Sequence, residues 1–314
     1  MGKSKLNYID FLKKISVLQD TSISNIQSQL QISVDEIEDN VKAINAFNSY
    51  IKKDHDKLIL EKEIDSLDKD YIFNNIEGNS RVIIFNEIDS TNNIMFEHIN
   101  NIAPFDIVSC EMQTKGRGRL NNKWVAAPFS NLCFSFSVIV EDIKVLRGIS
   151  VLAGISCTKA LKRINNLDFK VKWPNDIYLN NGKFAGILSE QKRRADGKYV
   201  CVIGIGINVY NFSNSLNRKI VYLNDPNKII SRSDLLILLI NELKKDIKIF
   251  MKEQLNPFIK IFNDVDYLVN KNIKVEYNND LYEGIAKGIT KTGDLILETE
   301  NKRTYLSSGH IIFE

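Results

Sequence analysis

The chain has 314 residues, 44% of them hydrophobic and 26% charged, with 42 Lys and Arg against 39 Asp and Glu. That length suffices for two or three domains with separate cores. A net charge of +3 gives no sign of a nucleic-acid coat or a membrane-surface protein, and apolar runs such as LLILLI at 235–240 are far too short to span a bilayer.

The N-terminus, MGKSKLNYIDF, carries charges throughout and lacks the apolar region of a signal peptide. Residues 1–62 read as mostly helical. An apolar stripe runs through Leu6, Ile9, Leu12 and Leu18. Thr21 or Ser22 can cap a short helix ending near Leu30. Ser33, with Glu36 three residues on, predicts a capping box for a second helix carrying Ile37, Val41, Ile44 and Phe47. YIKKDHDKLIL then reads as two short strands around a polar tip, which completes the order of a winged helix-turn-helix.

Residues 80–265 alternate strands and helices. RVIIFNEI, DIVSCEMQ, LCFSFSVIV, FKVKWPNDIYL, FAGILSEQ and YVCVIGIGINV have β-branched and aromatic strand character. Helical patterns follow Ser90 and cover roughly 147–164 and 232–252. The expectation is a mixed α/β domain with one large sheet. From 268 to 314, short strands separated by Asn-Asn-Asp, Thr-Gly-Asp and Asn-Lys turns predict a small β-barrel. Cys110, Cys133, Cys157 and Cys201 have no paired spacing and sit among apolar neighbours. They read as buried free thiols of a reducing cytoplasm, with no metal site.

Four stretches carry chemistry. In QTKGRGRLNNKW (113–124), Lys115, Arg117, Arg119 and Lys123 stand around two glycines without an acid. Glycine lets a backbone approach a ligand closely, and arginine presents a fork matched to carboxylate or phosphate oxygens. Without GK[ST] the segment is not a P-loop. A solvated basic loop or an RNA contact fits this stretch equally well. KVKWPNDIYLNNGKFAGILSE (170–190) predicts a hairpin around Asn180-Asn181-Gly182, with a bulge or sheet edge at Pro174 that frees Asn175 and Asp176 for a ligand. Lys183 opens the return strand. In VIGIGINV (202–209), Gly204 and Gly206 mark a close backbone approach, from a ligand or from a packed helix. NEIDSTNN (86–93) offers helix N-caps, and with them a polar-ligand site.

DSTN, GRGR…KW, KWPND…K.AGIL.E and G.GIN, in this order, resemble the biotin protein ligases of the bifunctional type that doubles as biotin-operon repressor. The likeness extends over essentially the whole chain. It implies an α+β multidomain fold: a winged helix-turn-helix at 1–62, an α/β ligase domain of the class II aminoacyl-tRNA synthetase and biotin–lipoate ligase type at 80–265, and an SH3-like barrel at 268–314. The implied reaction makes biotinyl-5′-AMP from biotin and ATP, with Mg2+, and transfers biotin to a lysine of the biotin carboxyl carrier protein. The resemblance further implies that Ser90, Thr91 and Asn92 hold the biotin rings, assisted by Gln113 and the backbone of Gly116, Arg117 and Gly118. Arg117, Arg119 and Lys183 would meet the carboxylate and phosphate; Trp124, Asn131, Asn175, Asp176 and Asn208 would surround ATP. Operator DNA bound through residues 21–60, a homodimer in the adenylate-bound state, and a cytoplasmic location away from membranes follow from the same likeness. A lipoate-type ligase and a DNA-binding regulator alone are the alternatives. Two features depart from the family. Leu120, Asn121 and Asn122 stand where further basic residues are common, and the presumed recognition helix carries Asp35, Glu36, Glu38 and Asp39 against Lys42 alone. Such a face is unfavourable toward DNA phosphates, although Lys52, Lys53 and Lys57 flank it on the hairpin.

Overall fold

The computed structural model describes residues 6–120, 122–164, 167–212, 219–223 and 230–312; Asn121 lies outside them. The chain opens with α1 (Tyr8–Ile15), α2 (Ile23–Leu30) and α3 (Val34–Asn45), followed by the hairpin β1 (Ile51–Asp54) and β2 (Lys57–Leu60). Each helix starts where a side chain satisfies its free N–H groups. Asn7 accepts from Ile9 and Asp10, Ser22 accepts from Asn25, and Ser33 with Glu36 forms the predicted capping box. Ile9, Phe11, Leu12, Ile37 and Ile44 are buried in one cluster, which extends onto Met112 and Phe129 of the central region. A further helix, α4 (Lys69–Asn75), follows.

The central region holds β3 (Val82–Ile88), α5 (Thr91–Glu97), β4 (Ile107–Gln113), β5 (Asn131–Val140), α6 (Ile149–Ile164), β6 (Lys170–Lys172), β7 (Asp176–Leu179), β8 (Gly182–Arg193), β9 (Tyr199–Asn208), α7 (Arg232–Glu253) and α8 (Ile259–Val265). Its strands form one seven-stranded sheet in the order β3-β4-β5-β9-β8-β7-β6. The β3–β4 pair is parallel and the remaining neighbours are antiparallel, so the sheet is mixed, as expected. Eight consecutive residues of β5 are buried, the mark of a strand covered on both faces. α6 and α7 supply one cover with Leu152, Ile155, Leu161, Leu239, Leu243 and Phe250.

KVKWPNDIYL is not the single strand its composition predicts. The Trp173–Pro174 peptide is cis, and β6 and β7 run antiparallel on either side, Lys172 opposite Asp176. The next turn is as predicted: Asn180 and Asn181 both have positive φ, 49° and 58°, joining β7 to β8 with Leu179 opposite Gly182. Asparagine tolerates that region better than most residues, and two such residues make the turn whose twist matches a hairpin.

The C-terminal strands β10 (Asn272–Tyr277), β11 (Asp280–Ile289), β12 (Leu295–Glu298), β13 (Arg303–Leu306) and β14 (His310–Ile312) form an antiparallel sheet in the order β13-β12-β11-β10-β14. A register shift between Ala286 and Ile289 bends β11, yet among the described residues β13 and β14 do not pair, so this is an open sheet and not the closed barrel expected. Its inner residues Ile273, Val275, Leu295 and Leu297 join the central core. All four cysteines are buried and free. No helix of the described residues is long and apolar enough to cross a membrane.

Candidate active site

The site grows out of two glycines in β9. A Cβ on Gly204 would sit 2.4 Å from Asn92 Oδ1, and one on Gly206 would sit 2.4 Å from Trp124 Cε2. Both are far inside van der Waals contact, so the bare backbone of β9 is what lets α5 and the 113–124 loop close onto the sheet. The close approach predicted for VIGIGINV is therefore made by two other parts of the chain.

Ser90 is the N-cap residue of α5 but makes no side-chain cap bond, so capping does not account for it. Thr91 and Asn92 are buried in a polar chain. Thr91 N donates to Gln113 Oε1 at 2.8 Å, and Ser135 Oγ lies 2.6 Å from both Thr91 Oγ1 and Asn92 Oδ1. Asn92 Nδ2 donates to Glu190 Oε2 at 2.7 Å and to Leu188 O at 3.3 Å. Ser90, Thr91, Asn92 and Gln113 line one end of a cavity of about 260 Å3, with Ile187, Leu188 and Ile205 beside them. Of the β9 residues near them, Ile205 shares its face and its core cluster with Ile203, whereas Val202 packs in a separate cluster with Met95 and Phe96.

Several cations line the same cavity, among them Arg117, Arg119 and Lys183. Arg117 Nη2 donates to Glu190 Oε2 at 2.9 Å and Asn93 Oδ1 at 2.7 Å, while its side chain remains 43% exposed. Arg119 reaches Asn175 Oδ1 at 3.2 Å and Gly309 O at 3.4 Å, which brings the C-terminal sheet to the rim. Burial lowers the pKa of the Arg119 guanidinium, opposed by Asp176. Lys183 Nζ lies 2.6 Å from Asp176 Oδ1. The glycines of the basic loop have different roles: a Cβ on Gly116 would strike Trp124 O at 2.5 Å, whereas one on Gly118 would rest in ordinary contact with Asn122. The loop folds back on itself through Gly118 N to Asn122 O and Trp124 N to Gly116 O. Leu120 and Asn122 also line the cavity, Leu120 with positive φ.

Trp124, Asn175 and Asp176 line the same cavity; Asn131 and Asn208 stand one layer behind it. Asn131 Nδ2 donates to Asn208 Oδ1 at 3.0 Å, Asn131 Oδ1 accepts from Ala127 N, and Asn208 Nδ2 reaches Lys183 O at 3.4 Å. They brace Lys183 from beneath. Arg232, fully buried against Glu111, donates to Asn131 O at 3.0 Å.

Sequence reasoning passed over Ser135, Lys172 and Glu190. Ser135 belongs to the alternation LCFSFS, whose inward serines were its only signal. Lys172 lines the cavity beside the Tyr178 ring, its Nζ 3.3 Å from the hydroxyl. Burial pushes its ammonium pKa down to about 8, with Lys183 and Lys271 adding to the fall and Asp176 opposing it. Glu190 ends the K.AGIL.E stretch and is the acceptor shared by Asn92 and Arg117.

Comparisons with known proteins point to one family. The model of the biotin/lipoate A/B protein ligase family matches residues 84–208, and that of the biotin protein ligase C-terminal domain matches 268–313. The bifunctional ligase/repressor BirA of Escherichia coli is 31% identical over 245 residues, 77% of this chain and 76% of its own. The chain belongs to the biotin protein ligase family. It is accordingly a ligase. BirA of Bacillus subtilis is 26% identical over 69% of each chain. Among solved structures, the biotin protein ligase from Aquifex aeolicus in complex with biotin and ATP superposes with a TM-score of 0.65 at 25% identity, covering 74% of this chain and 97% of that one.

Proposed function

We propose that this chain activates biotin with ATP and transfers it to a lysine of the biotin carboxyl carrier protein. The observation that carries the reading is the gathering of Arg117, Arg119 and Lys183 around one cavity that is also lined by the polar group Thr91, Asn92 and Gln113 and by aliphatic side chains. A small acid with an apolar, ureido-bearing ring suits those polar and aliphatic groups, and its carboxylate then falls among the cations. Both reactants of the first step are anions, so cations must bring them together and neutralise charge growing on the phosphoryl oxygens. The carboxylate oxygen bonds to the α-phosphorus as the bond to pyrophosphate breaks. Lys183 exchanges Asp176 for the carboxylate and the bridging oxygens, and Arg119, desolvated and anchored to Asn175, faces the phosphate. Trp124, spread over Gly186 and Gly206, offers a flat apolar surface for the adenine. In the second step a carrier lysine amine bonds to the acyl carbon, AMP leaves, and the amine proton passes to solvent.

Among the described residues no group of three or more His, Cys, Asp or Glu is placed to hold a metal. Asp176 is the carboxylate at the phosphate end, a donor set that suits magnesium arriving on ATP with phosphate and water ligands. The ion would supply charge neutralisation there. ATP- and biotin-dependent labelling of a purified carrier domain tests the reading, with lipoate as competitor. Labelling that lipoate abolishes would move the chain to a lipoate-type activity.

A second role rests on the N-terminal architecture. Three capped helices and a hairpin with exposed Lys52, Lys53 and Lys57 follow the winged helix-turn-helix order, and the two BirA relatives are described as ligase/repressors. The exposed face of α3 carries Asp35, Glu38 and Asp39, and Glu38 takes Lys53 Nζ at 2.7 Å. DNA contact would therefore fall chiefly on the hairpin, by a dimer formed in the adenylate-bound state. A gel shift on the promoter of biotin-synthesis genes, with and without biotin plus ATP, decides this role; absence of any shift at low salt removes it.

A further inference from the structure

We propose that Glu190 is a positioning residue that latches Arg117 to the ring-binding end of the cavity, so that the basic loop and the α5 N-terminus hold the ligand as one unit. The inference rests on the biotin and ATP reading of the cavity. Glu190 does not line the cavity itself. One of its oxygens, Oε2, accepts from Asn92 Nδ2 at 2.7 Å and from Arg117 Nη2 at 2.9 Å. Asn92 continues through Ser135 to Thr91 and Gln113, polar residues of the cavity lining. The other partner of Arg117, Asn93, is fixed in turn by Asp89 at 2.7 Å. The loop's backbone is tied to the end of β3 by Thr114 N to Ile88 O and Lys115 N to Asp89 O, and beyond Lys115 its bonds, Gly118 to Asn122 and Trp124 to Gly116, close within the loop. Through Arg117, attachment to the site depends on Glu190 and Asn93.

Geometry also leaves the arginine usable. Both recorded bonds run through Nη2, and Nη1 and Nε have no partner among the described residues. The latch thus grips one corner of the guanidinium and leaves another edge to a carboxylate or phosphate. A half-exposed ion pair alone contributes little. Here the shared acceptor couples the pair to a buried hydrogen-bond chain, in which a ligand resting on Thr91 and Asn92 also steadies Arg117.

The test uses the full chain and the Glu190→Gln variant, which keeps an acceptor for Asn92 and removes the charge that holds Arg117. Three quantities are read: the rate of tryptic cleavage after Arg117 without ligand, the dissociation rate of biotinyl-5′-AMP, and the split between biotin KM and kcat. Loss of one charge-assisted bond predicts cleavage and adenylate release faster by about tenfold and biotin KM higher by about tenfold, with kcat and Tm close to wild type. Wild-type rates of cleavage and adenylate release in Glu190→Gln would overturn the latch. So would a fall in Tm with kcat and both KM values worsening together, since that pattern marks a merely structural carboxylate. Absence of adenylate formation in the wild type would sink the ligase reading instead, and the ligand-free cleavage rates would still decide the latch.

Discussion

Two regions supply cations to one cavity, and they are built differently. Lys183 stands on β8, its N–H and C=O bonded to Lys219 O and Val221 N, its carbonyl also reached by Asn208, and its side chain 16% exposed against Asp176. Arg117 stands on a loop whose backbone meets the end of β3 at Thr114 and Lys115 and closes on itself beyond them; its side chain is 43% exposed and held by Glu190 and Asn93. The strand-borne half is set by folding itself. The loop-borne half gains its position from contacts a ligand can strengthen, as suits the proposed reaction, in which biotin, ATP and a carrier lysine would enter in turn and water would be kept from a hydrolysable anhydride.

Substitutions that sharpen this contrast fall in order of size. Lys183→Ala should lower kcat/KM for adenylate formation by about a thousandfold, the loss expected for a fixed charge aimed at the reacting oxygens, with Tm little changed. Gly206→Val drives a side chain into the Trp124 ring on the preformed wall. Displacing that ring by an ångström should raise the KM for ATP by about a hundredfold while biotin binding persists, measured by calorimetric titration of each ligand. Arg117→Ala, on the loop, should raise biotin KM by about fiftyfold, with a smaller effect on the KM for ATP. A result in which Arg117→Ala costs as much kcat as Lys183→Ala would erase the distinction between the two halves.

The smallest effect is in pH. Lys172 is charged in the folded protein only below about 8, whereas the unfolded chain keeps it charged to about 10.5. The unfolded state therefore binds more protons between those values, and this group's contribution to stability rises with pH across that window. If its charge helps hold phosphate, the KM for ATP rises by about threefold from pH 7 to 9, and Lys172→Gln removes that rise.

What was legible in the sequence is what local chemistry decides. The capping box at Ser33 and Glu36 and the Asn180-Asn181 turn each follow from one segment's own steric or hydrogen-bonding needs, and the glycine pair in β9 marks a close approach without naming Asn92 and Trp124 as what approaches. The β6–β7 turn reads from the sequence only as a bulge or sheet edge at Pro174, because Pro174, Asn175 and Asp176 signal a break without saying that the chain reverses, and nothing in the periodicity reveals Lys172 opposite Asp176. The open edge of the C-terminal sheet was likewise invisible, since turn residues fix hairpins but not whether first and last strands meet. Thr91, Asn92, Gln113, Arg117, Arg119, Trp124 and Lys183 could be named from motifs, and the structure brings them together around one cavity. Glu190, Ser135 and the bracing role of Asn131 and Asn208 depend on partners dozens of residues away, which no short stretch encodes.

Under the proposed function, a strand-held lysine and a loop-held arginine together activate biotin with ATP in this cavity. Exchange of labelled pyrophosphate into ATP, measured on the purified chain with biotin or lipoate as the acid, tests it most directly. Exchange should require biotin, find no support from lipoate, and disappear in Lys183→Ala at unchanged Tm. Exchange that lipoate supports equally, or that survives Lys183→Ala, would contradict it.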